Sequence, residues 1–126
     1  MPYHVSKKDF ADLVSAALRE LPEQFSNALD EVPIDIRTRP TRRQLQSLGL
    51  TDDELLLGLY VGTALPDRSV DQGVRLPDVI YLFQQDIELV SASAAQLQEE
   101  VRTTVLHELG HHFGLDEDQL DELGYG

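Results

Sequence analysis

Apolar residues return at spacings of three and four from Phe10 through Leu13, Val14, Ala17 and Leu18, which is one face of a helix. Ser6 stands just ahead of that face as an N-cap. The helix-like stretch from Lys8 to Leu29 is interrupted by Pro22, which breaks or kinks it, so Phe25 and Leu29 continue on a second short helix. Val32 to Ile36 alternates apolar and polar residues around Pro33, the pattern of a short edge strand. Thr41 caps a short helix carrying Leu45 and Leu48, and Gly49 ends it. After the acidic turn from Thr51 to Glu54, the run Leu55 to Val61 reads as a buried strand closed by Gly62. A loop with Pro66, Gly73 and Pro77 leads to the next strand, Val79 to Phe83.

The last element is the longest. Ser93 and Gln96 form a capping box, and Leu97, Val101, Val105, Leu109 and Phe113 then repeat every four residues until Gly114. The pattern predicts one helix of roughly twenty residues, about 30 Å long. Helices, then strands, then a long helix make an α+β fold: a short mixed sheet packed on a long C-terminal helix that carries the site, with the N-terminal helices beside it. The 126 residues are read as a single domain, 1–126, long enough to bury roughly two thirds of the surface of the unfolded chain.

Composition narrows the chemistry. Cysteine is absent, which excludes disulfides and thiolate metal sites, so any metal must be held by imidazole and carboxylate. The formal net charge of −13 repels phosphate backbones and argues against nucleic-acid partners. Arg37, Arg39, Arg42 and Arg43 are a local exception, read as a solvated helix start that neutralises nearby acids. No apolar run approaches the roughly 20 residues of a membrane span, and the segment Met1 to Phe10 lacks a signal-peptide core. The expectation is a soluble cytoplasmic protein with no membrane partner.

Near the C-terminus the chain reads His107-Glu108-Leu109-Gly110-His111-His112-Phe113-Gly114-Leu115-Asp116-Glu117. Four residues apart on a helix, His107 and His111 project from one face and can share one tetrahedral zinc ion at about 2.0–2.1 Å. Glu108 follows the first ligand and can reach a water at the metal without binding the metal itself, as general base and then proton donor to the leaving amine. Gly110 sits inside the helix, at a cost of about 0.8–1.0 kcal/mol relative to Ala, which points to a close approach of backbone or substrate. Two imidazoles leave the site incomplete, since catalytic zinc usually has three protein ligands. Gly114 can take the left-handed conformation and turn the chain back toward the metal. Glu117 then falls at the third-ligand position of His-Glu-x-x-His-x-x-Gly-x-x-ligand. Asp116, Asp118 and Asp121 compete with it, the last two reading better as surface charge. His112, about 100° round the helix from His111, is read as packed or supporting, and His4 as carrying no signal.

These residues resemble the zincin metallopeptidases, and among them the aspzincin-like pattern HExxHxxGxxD. The stretch His107 to Gly124, with Leu57-Gly-Leu-Tyr-Val-Gly62 and Leu76-Pro-Asp-Val-Ile-Tyr81, looks like the small bacterial mini-zincin family of zinc peptidases. The resemblance implies zinc on His107, His111 and residue 117, with Glu108 as the catalytic base. It also implies that the strand Val79 to Phe83 borders the cleft and pairs with an extended substrate. The third ligand would here be Glu where the pattern has Asp. Nine residues follow Glu117 and the sole Met is Met1, so no downstream Met-turn is expected, and half of the usual substrate cleft is expected to be missing.

Two functions compete. One is a zinc-dependent peptidase acting on peptides or unfolded protein. The other is a zinc-binding zincin-fold protein without turnover that serves interaction or regulation. Glu108 favours the first, because a structural zinc needs no base beside its ligands and normally has four protein ligands. The short C-terminal part favours the second. An acidic decoy for basic partners is a third reading, supported by charge alone.

Overall fold

Ser6 begins the first helix as its sequence position requires: its Oγ accepts the Asp9 N–H at 3.0 Å. The computed structural model of the chain describes residues 2–62 and 78–124. Helix α1 spans Lys7–Arg19, and after Pro22 a separate α2 spans Glu23–Ala28. Strand β1 is Ile34–Arg37, starting directly after Pro33 and two residues later than the alternation suggested. Helix α3, Arg42–Ser47, carries a full capping box between Thr41 and Gln44. Strand β2 is confined to Gly58–Val61, because Leu55 to Leu57 enter the sheet edge without pairing as a strand. The loop with Pro66, Gly73 and Pro77 lies outside the described residues. Strand β3 is Val79–Phe83, as expected.

Three elements then follow, two of them not foreseen. Helix α4, Gln84–Leu89, starts directly from β3. Helix α5, Ala94–His112, is the long helix that the four-residue repeat predicted, and α6, Glu117–Glu122, follows it. Ser93 caps α5 by accepting the Gln96 N–H at 3.1 Å. The reciprocal half of the capping box is displaced by one residue, with Gln96 Oε1 accepting the Ala92 N–H at 2.8 Å. Among the described residues no helix is long and apolar enough to cross a membrane.

The sheet has the order β1-β3-β2. β1 runs parallel to β3, with Ile34 opposite Ile80, and β2 runs antiparallel, with Gly58 opposite Leu82. β3 therefore has a partner on both sides. Helix α5 lies across β2 and β3, and α1 packs on α5. Phe10, Val14 and Ala17 from α1 meet Leu97, Val101, Val105 and Leu109 from α5 over Ile80 and Leu82 from β3. Burial of each large side chain contributes about 1.5–3 kcal/mol. This layer fixes α5 against the sheet and so fixes everything on its C-terminal turns.

The arginine cluster is largely neutralised. Arg37 Nη2 lies 2.9 Å from Asp35 and Arg42 Nε 3.4 Å from Asp52. Arg39 Nε stands 3.5 Å from Oδ1 of the fully buried Asp86, a loose ion-pair distance. The other Asp86 oxygen accepts the Leu56 N–H at 3.0 Å, holding the approach to β2.

Candidate metal centre

On α5, His107 and His111 project from one face with their Nε2 atoms 3.2 Å apart. The helix ends where the spacing placed its end. Gly114 adopts φ +85°, the Gly114 N–H donates to His111 O at 3.0 Å, and the Leu115 N–H donates to Gly110 O at 2.9 Å. This pair of bonds is a Schellman cap. It turns the chain back, and α6 begins beside the two imidazoles.

Glu117 is the first residue of α6. Its Oε1 lies 3.1 Å from His111 Nε2 and 3.3 Å from His107 Nε2. Three donors thus form a nearly equilateral triangle. A tetrahedral zinc with bonds of about 2.0–2.1 Å sets its donors roughly 3.3–3.4 Å apart, so two imidazole nitrogens and a carboxylate oxygen at these separations fit such an ion. Asp116 is otherwise engaged: its Oδ1 accepts the Gln119 N–H at 2.8 Å, and Gln119 Oε1 accepts the Asp116 N–H at 2.8 Å. It is the N-cap of α6. Asp118 and Asp121 lie further along that helix, on exposed positions.

Glu108 sits one layer deeper, 8% exposed. One oxygen accepts the backbone N–H of Tyr60 on β2 at 2.8 Å, and the other lies 4.0 Å from His107 Nε2. His107, Glu108 and His111 together offer donor atoms close enough to surround one ion, but Glu117 stands nearer to both imidazole nitrogens. Burial pushes the Glu108 carboxyl above the ordinary carboxylate value. His107, His111 and the Tyr60 N–H act in the opposite sense, and Glu117 adds to the rise.

Residues 29–126 match the family described as zincin-like metallopeptidase. The chain belongs to this family. The family implies a zinc cofactor, and the donor set is of the right kind and spacing to hold one. The fold is similar to that of a solved structure described as a conserved hypothetical protein from Thermo thermophilus. The TM-score is 0.56 at 23% identity, covering 94% of this chain and 97% of that one. At that identity the likeness is one of fold alone. No curated protein matches the chain.

Several residues of this zincin-like site had no counterpart in the sequence reading. Tyr60 serves twice, its N–H on Glu108 and its hydroxyl 3.2 Å from His112 Nδ1. His112 is 1% exposed, and the same Nδ1 lies 3.2 Å from Asp78 Oδ2. The expected supporting role of His112 thus takes a concrete form: it ties the last turn of α5 to the start of β3 and to β2. It lies on the buried side of α5 with Val101, Val105 and Glu108, consistent with the packed or supporting place read for it about 100° round the helix from His111. The long-range partners Asp78 and Tyr60 were not visible in the sequence.

Two expectations require correction. β3 is flanked by β1 and β2, so Val79 to Phe83 has no open edge for an extended substrate. Among the described residues, the sheet edge facing the site belongs to β2, and its Tyr60 N–H is bonded to Glu108. The close approach signalled by Gly110 comes from a side chain, neither backbone nor substrate. A Cβ placed on Gly110 would overlap Leu120 Cδ2 and lie 3.3 Å from Leu120 Cγ.

Proposed function

We propose that the protein is a zinc-dependent peptidase in which His107, His111 and Glu117 hold the metal and Glu108 is the general base. The observation that carries this reading is the donor triangle of 3.1–3.3 Å with a buried carboxylate directly behind it. When bound, zinc supplies a Lewis acid that lowers the pKa of water toward about 7 and polarises a carbonyl.

The chain's own groups do the rest. The Tyr60 N–H fixes one oxygen of Glu108 and leaves the other directed toward the imidazoles. That oxygen accepts a proton from the attacking water and returns it to the leaving amine. Burial raises the proton affinity of the carboxyl, which suits a group that must take and give a proton in one cycle. The outer edge of β2 borders Glu108 and is the place for an extended peptide, which would pair with the edge groups that the Tyr60 N–H bond to Glu108 leaves over.

The test is a zinc assay joined to a digest of a broad peptide library, with Glu108→Gln beside the wild type. Cleavage by the zinc-loaded wild type and none by the variant supports the peptidase. Full zinc binding with no cleavage at all leaves the alternative, a zinc-binding protein without turnover.

A further inference from the structure

Helix α6 is short and mostly exposed, and Leu120 is its one buried residue. The Glu117 side chain is 65% exposed, and its carboxylate lies against the two imidazoles. Among the described residues these are its ion-pair contacts, so its position follows from where α6 is seated. That seat is Leu120, which is 0% exposed and lies in the space left by the missing side chain of Gly110.

The spacing makes this contact and the donor triangle parts of one surface. Residues three and four apart share a helix face. On α6, Glu117 and Leu120 are therefore neighbours on one face. On α5, Gly110 and His111 each lie beside His107, three and four residues further on. Glu117 meets the two imidazoles while Leu120 meets the bare position of Gly110 beside them. The Gly110 carbonyl also accepts the Leu115 N–H that closes the turn into α6. One residue without a side chain thus governs both the turn and the seat.

We infer that Gly110 and Leu120 form a notch and peg that position Glu117 as third metal ligand. This inference rests on the zinc site proposed above. Any side chain at 110 lifts α6 off the ligand face, and shortening Leu120 lets α6 move freely over it. In either case the imidazoles keep their place on α5 while the carboxylate drifts.

Zinc affinity of the full-length protein, measured by competition with a chromophoric chelator, tests this. Gly110→Ala and Leu120→Ala should each weaken zinc binding by about 10–100-fold, the usual range for residues that support a ligand. In the double variant Gly110→Ala/Leu120→Ala the new methyl fills part of the vacated space, so affinity should recover above that of either single variant. Destabilisation alone would make the double variant the worst of the three. Wild-type affinity in both single variants, or a double variant weaker than either, overturns the inference. Glu117→Ala separates the two levels. If it binds zinc as wild type does, the third-ligand assignment fails and the notch falls with it. If it loses affinity while Gly110→Ala and Leu120→Ala do not, only the notch fails. Should Leu120→Ala not fold, Leu120→Val should show a smaller loss of zinc affinity in the same direction, and its absence overturns the inference equally.

Discussion

Two buried glutamates, Glu88 on α4 and Glu108 on α5, each lie near a histidine, yet the molecule treats them in opposite ways. Burial raises the proton affinity of both. For Glu88 that rise is outweighed by the Val5 N–H at 2.9 Å, the Gln84 amide at 3.1 Å and His4 Nδ1 at 3.2 Å, so its carboxyl sits below the ordinary value. For Glu108 the Tyr60 N–H is the hydrogen bond that opposes burial, and the carboxyl ends above the ordinary value. A carboxylate saturated with donors holds structure together, here the N-terminal segment to α4. One left short of donors beside converging imidazoles keeps the capacity to move a proton.

The largest expected effect tests which of the two regions is the metal site. His107→Ala or His111→Ala should remove most bound zinc, a greater loss than the roughly 10–100-fold typical of supporting residues. His4→Ala should leave the zinc content unchanged. Elemental analysis of the purified variants reads this directly, and retention of zinc by both α5 variants would end the assignment.

Next in size is the consequence of removing the proton acceptor. Glu108→Gln should keep zinc and lower hydrolysis of any cleaved peptide by about 10²–10⁴-fold, the range for a general acid–base group. Glu88→Gln should leave the turnover of the folded protein near that of the wild type. Steady-state rates on one peptide compare the two, and equal losses in both would show that the change at 108 acts through stability.

What could be read from the sequence divides along the same line. The turn of α5 bearing His107, Glu108 and His111 was legible because four-residue spacing on a helix fixes a face without help from elsewhere. The Gly114 turn was legible because a left-handed residue ends a helix locally. Helices α4 and α6 escaped although α2 and α3, also six residues long, did not: α4 starts directly from β3 with no side-chain cap, and the Asp116 that caps α6 lay among acids weighed as metal ligands. Glu88 drew no notice, and His4 carried no signal, since their bond joins residues far apart in the chain. The Tyr60 N–H on Glu108 is a backbone contact with no residue signature. It exists only once β2 is laid beside α5. Gly110 announced a close approach, but its partner, Leu120, lay in a helix that the sequence did not reveal.

A smaller effect separates neighbouring acids on α6. Asp116→Ala should leave zinc affinity within a few-fold of wild type, since its carboxylate caps the helix. Loss of such a cap costs about 0.5–2 kcal/mol of helix or protein stability. Glu117→Ala should do the reverse, weakening zinc strongly with little change in the metal-free protein. Chelator competition and thermal melts on the same two samples check both halves.

The smallest effect lies in the pH dependence of Glu88. A carboxyl held below its unfolded value favours the folded state when ionised. Its contribution is complete above the ordinary carboxylate range and is lost as pH falls through the lower, folded value. Glu88→Gln removes that charge, and with it the strong acceptor for the Val5 N–H and His4. At neutral pH the variant should therefore be less stable by about 1–3 kcal/mol, the usual cost of leaving a buried polar partner unmatched. As the pH is lowered through the acid range, wild-type stability should fall faster than that of the variant, so the gap between them narrows. Denaturant unfolding of the metal-free protein at a series of pH values measures it, with chelator present throughout to silence the zinc site. A gap that is constant with pH would mean that Glu88 is not held ionised by its donors. The contrast with Glu108, raised by its burial, would then lose its electrostatic half.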